Sequence, residues 1–137
     1  MGLTTRLAAF PVPAWRSAAA IAVSDHQILL AGLHTPSVDD AIFVADDAGV
    51  VLGFLFVVTR TDYFTHEPFA YVEDLALAAA AEGKGLGRRL MEEAEGWARD
   101  RGFRHIGLSV WAQNSRARGF YERLGYQPET MKYLKEL

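Results

Sequence analysis

The sequence predicts one α/β domain, residues 1–137, built on a central mixed, mostly antiparallel sheet with helices on both faces. Three observations carry that expectation. Asp46-Asp47-Ala48-Gly49 is turn chemistry between the apolar run Ala41–Ala45 and the β-branched and aromatic run Val50–Val58, which makes a hairpin. Phe69–Leu77, a helical pattern over Gly85–Arg101, and an alternating run Ile106–Val110 form a strand–helix–strand unit, which demands a parallel pair with a right-handed crossover. Half of the 137 residues are hydrophobic, with 3 Trp, 5 Tyr and 8 Phe, enough to fill one core and to exclude wholesale disorder.

The elements follow in order. Leu3–Ala9 reads as a short strand. Pro13 suits the first turn of a helix that carries Ala14, Ala18, Ile21 and Ala22 at helical spacing. Ser24 or Asp25 caps a second short helix with Ile28, Leu29 and Leu33, ended by Thr35-Pro36-Ser37. After the hairpin, Thr59–Pro68 is a polar loop. Along Phe69–Leu77, strict alternation sets Phe69, Tyr71, Glu73, Leu75 and Leu77 on one side and Ala70, Val72, Asp74 and Ala76 on the other. In the long helix Leu86, Leu90, Met91, Ala94, Trp97 and Ala98 form an apolar stripe, and Gly102 is its stop. Asn114 caps a helix whose inner face is Ala117, Phe120, Tyr121 and Leu124, and Gly125 ends it. Thr130–Leu137 alternates as a last strand.

Composition narrows the function. With 14 Lys plus Arg against 17 Asp plus Glu, the net charge is −3, a poor balance for a general nucleic-acid binder. Arg101-Gly102-Phe103 begins like an RNA-recognition signature, but Arg104 and His105 break it. The absence of Cys removes disulfides, Cys-ligated zinc, iron–sulfur clusters and thiol nucleophiles. His26, His34, His66 and His105 lack metal spacing, so no metal is expected. A spanning helix needs roughly 20 apolar residues, and Leu7–Trp15 is broken by Pro11 and Pro13. The same prolines spoil a signal peptide, and the cytoplasm is the expected compartment.

Glu82-Gly83-Lys84-Gly85-Leu86-Gly87 joins a strand to a helix. Uncapped amides and the helix dipole make such a place a site for phosphate or another anion, with Lys84, Arg88 and Arg89 adding charge. The dinucleotide fingerprint would need glycine at 88, where Arg stands, and the P-loop would need glycine at 78, where Ala stands. A plain flexible turn before a solvated helix face also accounts for this segment taken alone.

The second constellation is Asn114, Ala117 and Phe120-Tyr121-Glu122-Arg123-Leu124-Gly125-Tyr126. Together with Gly85-Leu86-Gly87 after a strand, it resembles the GNAT superfamily of acetyl-CoA-dependent N-acetyltransferases over about Ala41–Leu137, with a shortened N-terminal part. The family's loop motif, Gln/Arg-x-x-Gly-x-Gly/Ala, falls on Glu82, Gly85 and Gly87, so the first position departs. The amides of residues 83–88 do not depend on that side chain, and Lys84 and Arg88 stand nearby to offset its charge.

The resemblance implies direct transfer of acetyl from acetyl-CoA to a primary amine. Coenzyme binding falls to Gly83, Lys84, Gly85, Leu86, Gly87 and Arg88 for the pyrophosphate. It falls to Leu75, Ala76 and Leu77 for the pantetheine arm, in a gap where that strand splays from the next. Asn114, Ala117, Phe120 and Tyr121 line the other side. Asn114 serves as helix cap, as a pantetheine partner, or as both. An amide near Leu77 would face the oxyanion. Tyr121 is the implied general acid to the leaving thiolate. Tyr-Val-Glu-Asp-Leu is similar to the corresponding strand of spermidine/spermine-type members. It makes Glu73 the general base and Asp74 an amine-binding group, both facing the site only if the strand bulges. The acceptor is a small-molecule amine or a protein amino group, and a homodimer is the family-level expectation. The competing reading is a non-catalytic acetyl-CoA-binding or scaffold domain of the same fold.

Overall fold

The computed structural model describes residues 39–137; the strand and two helices expected before Ser37, and the shortening of that region, lie outside them. The described chain runs β1 (Ala41–Asp47), β2 (Val50–Thr61), β3 (Pro68–Leu77), a single 3-10 turn (Ala79–Ala81), α1 (Leu86–Asp100), β4 (Ile106–Leu108) and α2 (Ser115–Arg123). The sheet order is β1-β2-β3-β4, with β1–β2 and β2–β3 antiparallel and β3–β4 parallel. This is the mixed, mostly antiparallel sheet that the sequence predicts.

The β1–β2 connection is two residues, Ala48 and Gly49, both with positive φ (51° and 87°). That geometry matches the right-handed twist of the flanking strands. The strands extend beyond the expected runs, so the polar loop shrinks to residues 62–67. Asp62 ties this loop together, accepting from the amides of Phe64 (2.9 Å) and Thr65 (2.8 Å), and these bonds to its charged form hold its carboxyl below the usual range.

The core lies between the sheet and α1. Leu90, Met91, Ala94 and Ala98 pack on Leu55, Val57, Ala70 and Val72. The two alanines let the helix approach closely, and each large buried side chain contributes about 1.5–3 kcal/mol. In the helix's buried stripe Gly87 takes part, while Leu86 and Trp97 are half-buried.

Two expectations fail. Thr130–Leu137 is not a strand; the segment has no regular structure and is exposed throughout. Among the described residues its alternation meets no paired neighbour to fix it as β. The strict alternation along β3 fails as well. Val57 pairs with Val72 and Phe56 with Asp74, which leaves Glu73 as an extra residue in a bulge. The face turned to α1 is therefore Ala70 and Val72 before the bulge, but Leu75 and Leu77 after it. Asp74 and Ala76 join Phe54 and Phe56 on the opposite face.

Candidate active site

The bulge has a second consequence. The β3–β4 ladder pairs Ala70 with Ile106, Tyr71 with Gly107 and Val72 with Leu108, and there it stops. β4 ends at Leu108, short of the expected Val110, while β3 continues to Leu77. The two parallel strands thus part at Glu73, and Leu75–Leu77 border the opening from one side. The bulge also turns both acids away from α1. Asp74 is buried, paired in register with Phe56, and Glu73 meets Arg60 at 2.5 Å on that same face.

Below the opening, β3 passes through the 3-10 turn into the glycine loop. Gly83 and Gly85 adopt left-handed backbone (φ 76° and 77°), and Gly85 is the N-cap of α1 without a side-chain cap bond. Arg89 N donates to Gly85 O (3.1 Å), so the amides of Leu86, Gly87 and Arg88 precede the first intrahelical bond and point out of the helix start. Free amides at a helix start, with the helix dipole, are the kind of feature that attracts anions. Gly87 has a different role. A Cβ there would lie 3.2 Å from Phe120 Cζ and 3.5 Å from Leu77 Cδ1, so its bareness lets α2 close on α1 beside the opening.

The charges around the loop differ from expectation. Lys84 and Arg89 are exposed, and Arg88 is paired with Glu92 (3.1 Å). Glu82 is met by Arg116 at the start of α2 (3.7 Å), so Arg116, rather than Lys84 or Arg88, stands against the acid that departs from the loop motif.

α2 supplies the far side. Asn114 is buried, and its side chain accepts from Ala117 N (3.1 Å), the cap that the sequence predicts. Phe120 and Tyr121 pack edge-on (ring centroids 5.1 Å), and Tyr121 meets Tyr126 the same way (6.0 Å). Burial pushes the Tyr121 phenol up to about 12, and its hydroxyl makes no hydrogen bond to another described residue. Tyr126 donates to Glu95 Oε2 (2.8 Å); burial and that carboxylate raise its pKa as well. Tyr121 belongs to the core on the α1 side, whereas Glu73 lies on the other face. The structure brings neither into contact with the other.

A set of partners escaped the sequence reading. Arg60 lies over the Tyr71 ring (3.6 Å to the centroid) while it holds Glu73, and the Tyr71 hydroxyl meets Ser109 Oγ (2.5 Å). A lone Arg at the end of an apolar strand was the available signal, but only the β2–β3 register shows what it faces. Among the described residues no group of three His, Asp or Glu side chains is placed to hold a metal ion, and no helix is long and apolar enough to cross a membrane.

A strand pair that parts beside an uncapped helix start is the geometry that the resemblance implies, and comparison with known families agrees. The sequence profile of the acetyltransferase (GNAT) family matches residues 8–126. The chain belongs to the GNAT acetyltransferase family. It is 35% identical over 96 residues to the streptothricin acetyltransferase of Streptomyces lavendulae, covering 69% of this chain and 49% of that protein. To an uncharacterized N-acetyltransferase of Bacillus subtilis, YycN, it is 30% identical over 87 residues, 64% of this chain and 54% of that one. The chain thus spans about half the length of these curated relatives. Among solved structures, a putative acetyl transferase from Pyrococcus furiosus superposes with a TM-score of 0.73 at 26% identity, covering 93% of this GNAT chain and 82% of that one. The aminoglycoside N-acetyltransferase AAC(6')-Iy, solved in complex with CoA, shares the fold (TM-score 0.68, 20% identity, 84% and 90% covered).

Proposed function

We propose that this chain transfers acetyl from acetyl-CoA to a primary amine, with a cationic small molecule as the acceptor. The observation that carries the reading is the parting of β3 from β4 at a bulge that sets two carboxylates on one face, next to a left-handed glycine loop opening α1. The loop amides and Lys84, Gly83, Gly85, Leu86, Gly87 and Arg88 receive the pyrophosphate. Leu75, Ala76 and Leu77 line the pantetheine arm, and Asn114, Ala117 and Phe120 close the other side.

An alkylamine with a pKa of about 10.4 is mostly protonated at neutral pH and must lose a proton before it attacks. Glu73 takes that proton, directly or through one water, while the buried carboxylate of Asp74 orients the amine. The nitrogen then bonds to the thioester carbonyl carbon. The C–S bond breaks, Tyr121 gives its proton to the departing thiolate, and the nitrogen sheds its second proton to water, from which the Tyr121 phenolate is reprotonated. The phenol is protonated throughout the neutral range; burial raises its pKa and makes it a weaker acid, so the transfer depends on the thiolate being held directly against its hydroxyl. A relative named streptothricin acetyltransferase supports a small-molecule acceptor; relatives named N-alpha-acetyltransferase 80 and N-alpha-acetyltransferase 40 keep a protein amino group as the contrasting case. Thiol release from acetyl-CoA against a panel of amines and amino-terminal peptides tests the reading. Release with small cationic amines supports it. Acetyl-CoA binding without release on any acceptor would leave a binding scaffold instead.

A further inference from the structure

On the sheet face turned away from α1, a cation already sits against the proposed base. Arg60 Nη2 lies 2.5 Å from Glu73 Oε1, and its guanidinium carbon lies 3.6 Å from the centroid of the Tyr71 ring. The ring is fixed independently of Arg60. Its hydroxyl meets Ser109 Oγ at the end of β4, and Phe69 packs on it edge-on (6.4 Å, 89°). The cation is the movable part of the set: the Arg60 side chain is 46% exposed, against 20% for Glu73.

A carboxylate beside an aromatic face is a complete recognition surface for an organic cation, with one partner supplying a charge-assisted hydrogen bond and the other the ring quadrupole. Arg60 fills it from its own chain. An acceptor ammonium that approached Glu73 would need the same oxygen and the same ring face, and two like charges cannot share them. Exposed ion pairs are weak, so an incoming cation can displace this one. We infer that the Glu73 carboxylate and the Tyr71 ring form the subsite for the acceptor's ammonium group, and that Arg60 is its resident competitor, displaced when the acceptor binds. The inference rests on the reading of Glu73 as the acceptor-facing base. It adds Tyr71 as a specificity-determining residue and makes Arg60 a residue that weakens acceptor binding.

Arg60→Ala tests it, because removing a competitor and removing a support have opposite signs. At saturating acetyl-CoA the variant should lower the amine KM threefold or more and leave the KM for acetyl-CoA within twofold. Ethylguanidinium, a cation that cannot be acetylated at neutral pH, should inhibit Arg60→Ala competitively with the amine and inhibit the unaltered protein at least fivefold less well. Adding Tyr71→Leu to Arg60→Ala should weaken ethylguanidinium fivefold or more. Arg60→Lys, which restores a resident cation, should return both readouts toward the starting protein. An NMR titration of ethylguanidinium gives the same comparison without turnover, with shifts at Glu73 and Tyr71 expected in Arg60→Ala. An unchanged or raised amine KM, or equal ethylguanidinium binding to both proteins, overturns the subsite. Full activity of Glu73→Gln would instead refute its role as base, and the binding arms would still decide the subsite on their own.

Discussion

Gly85 is the position where backbone conformation and the proposed coenzyme binding are most directly linked. Its φ of 77° sets the direction in which the chain enters α1, and so where the amides of Leu86, Gly87 and Arg88 point. A Cβ placed there meets nothing within 4 Å. Substitution therefore adds no clash inside the protein, and its cost is conformational. Left-handed backbone costs an L residue about 1–2 kcal/mol, and Asn tolerates it better than Ala or Val. If the loop holds its shape, the cost appears as lost stability. If the loop relaxes, the amides turn and the cost appears as weaker binding, by a factor of about 5–30 for the same energy. Isothermal titration with CoA and thermal unfolding, run together on Gly85→Ala, Gly85→Asn and Gly85→Val, read both channels. The expected order of CoA affinity is Gly, then Asn, then Ala, then Val. Equal affinity for all four would refute the loop as the anion cradle, and an Asn variant as poor as Val would refute the conformational argument.

Other expectations follow from the same geometry. Tyr121→Phe should lower turnover by about 10²–10⁴-fold, the usual range for a general acid, with CoA affinity within twofold; equal turnover would remove its acid role. Burial holds the Tyr121 phenol at about 12, above the ordinary value of about 10. Its contribution to stability is then complete below pH 10 and is lost as the pH rises toward 12, which unfolding midpoints measured across that window would follow; in Tyr121→Phe this part of the loss should disappear. Met91 is fully buried under the sheet, so Met91→Ala should cost about 2–5 kcal/mol in chemical denaturation. A loss below 1 kcal/mol would mean that α1 packs less tightly than described.

The parts legible in the sequence were those fixed by local periodicity or local chemistry. α1 declared itself because its 15 residues repeat one apolar stripe over four turns, with Gly102 beyond its end. Asn114 declared a cap because its side chain serves an amide three residues on. The β3 alternation misled because it is a statement about one strand, whereas a bulge is a property of two. Yet the sequence held a hint. Strict alternation would have placed Asp74 among Ala70 and Val72, in the core under α1, where a carboxylate is costly. The extra residue at Glu73 moves Asp74 to the other face and brings Leu75 and Leu77 into the core. Thr130–Leu137 misled for the opposite reason, since alternation without a paired neighbour specifies nothing. The Arg60–Tyr71–Ser109 contacts join residues up to 49 positions apart (Arg60 to Ser109), and Arg116–Glu82 spans 34, so neither was open to motif reading. The loop charge was therefore assigned to sequence neighbours, Lys84 and Arg88, when the contact comes from the next helix.

The most direct measurement is a backbone amide NMR titration of the protein with acetyl-CoA. The largest shifts should fall on residues 83–88 and on Leu75–Leu77, with smaller ones on Asn114 and Phe120. Saturable shifts that leave the start of α1 untouched and gather elsewhere would show that the thioester donor does not enter between β3 and β4.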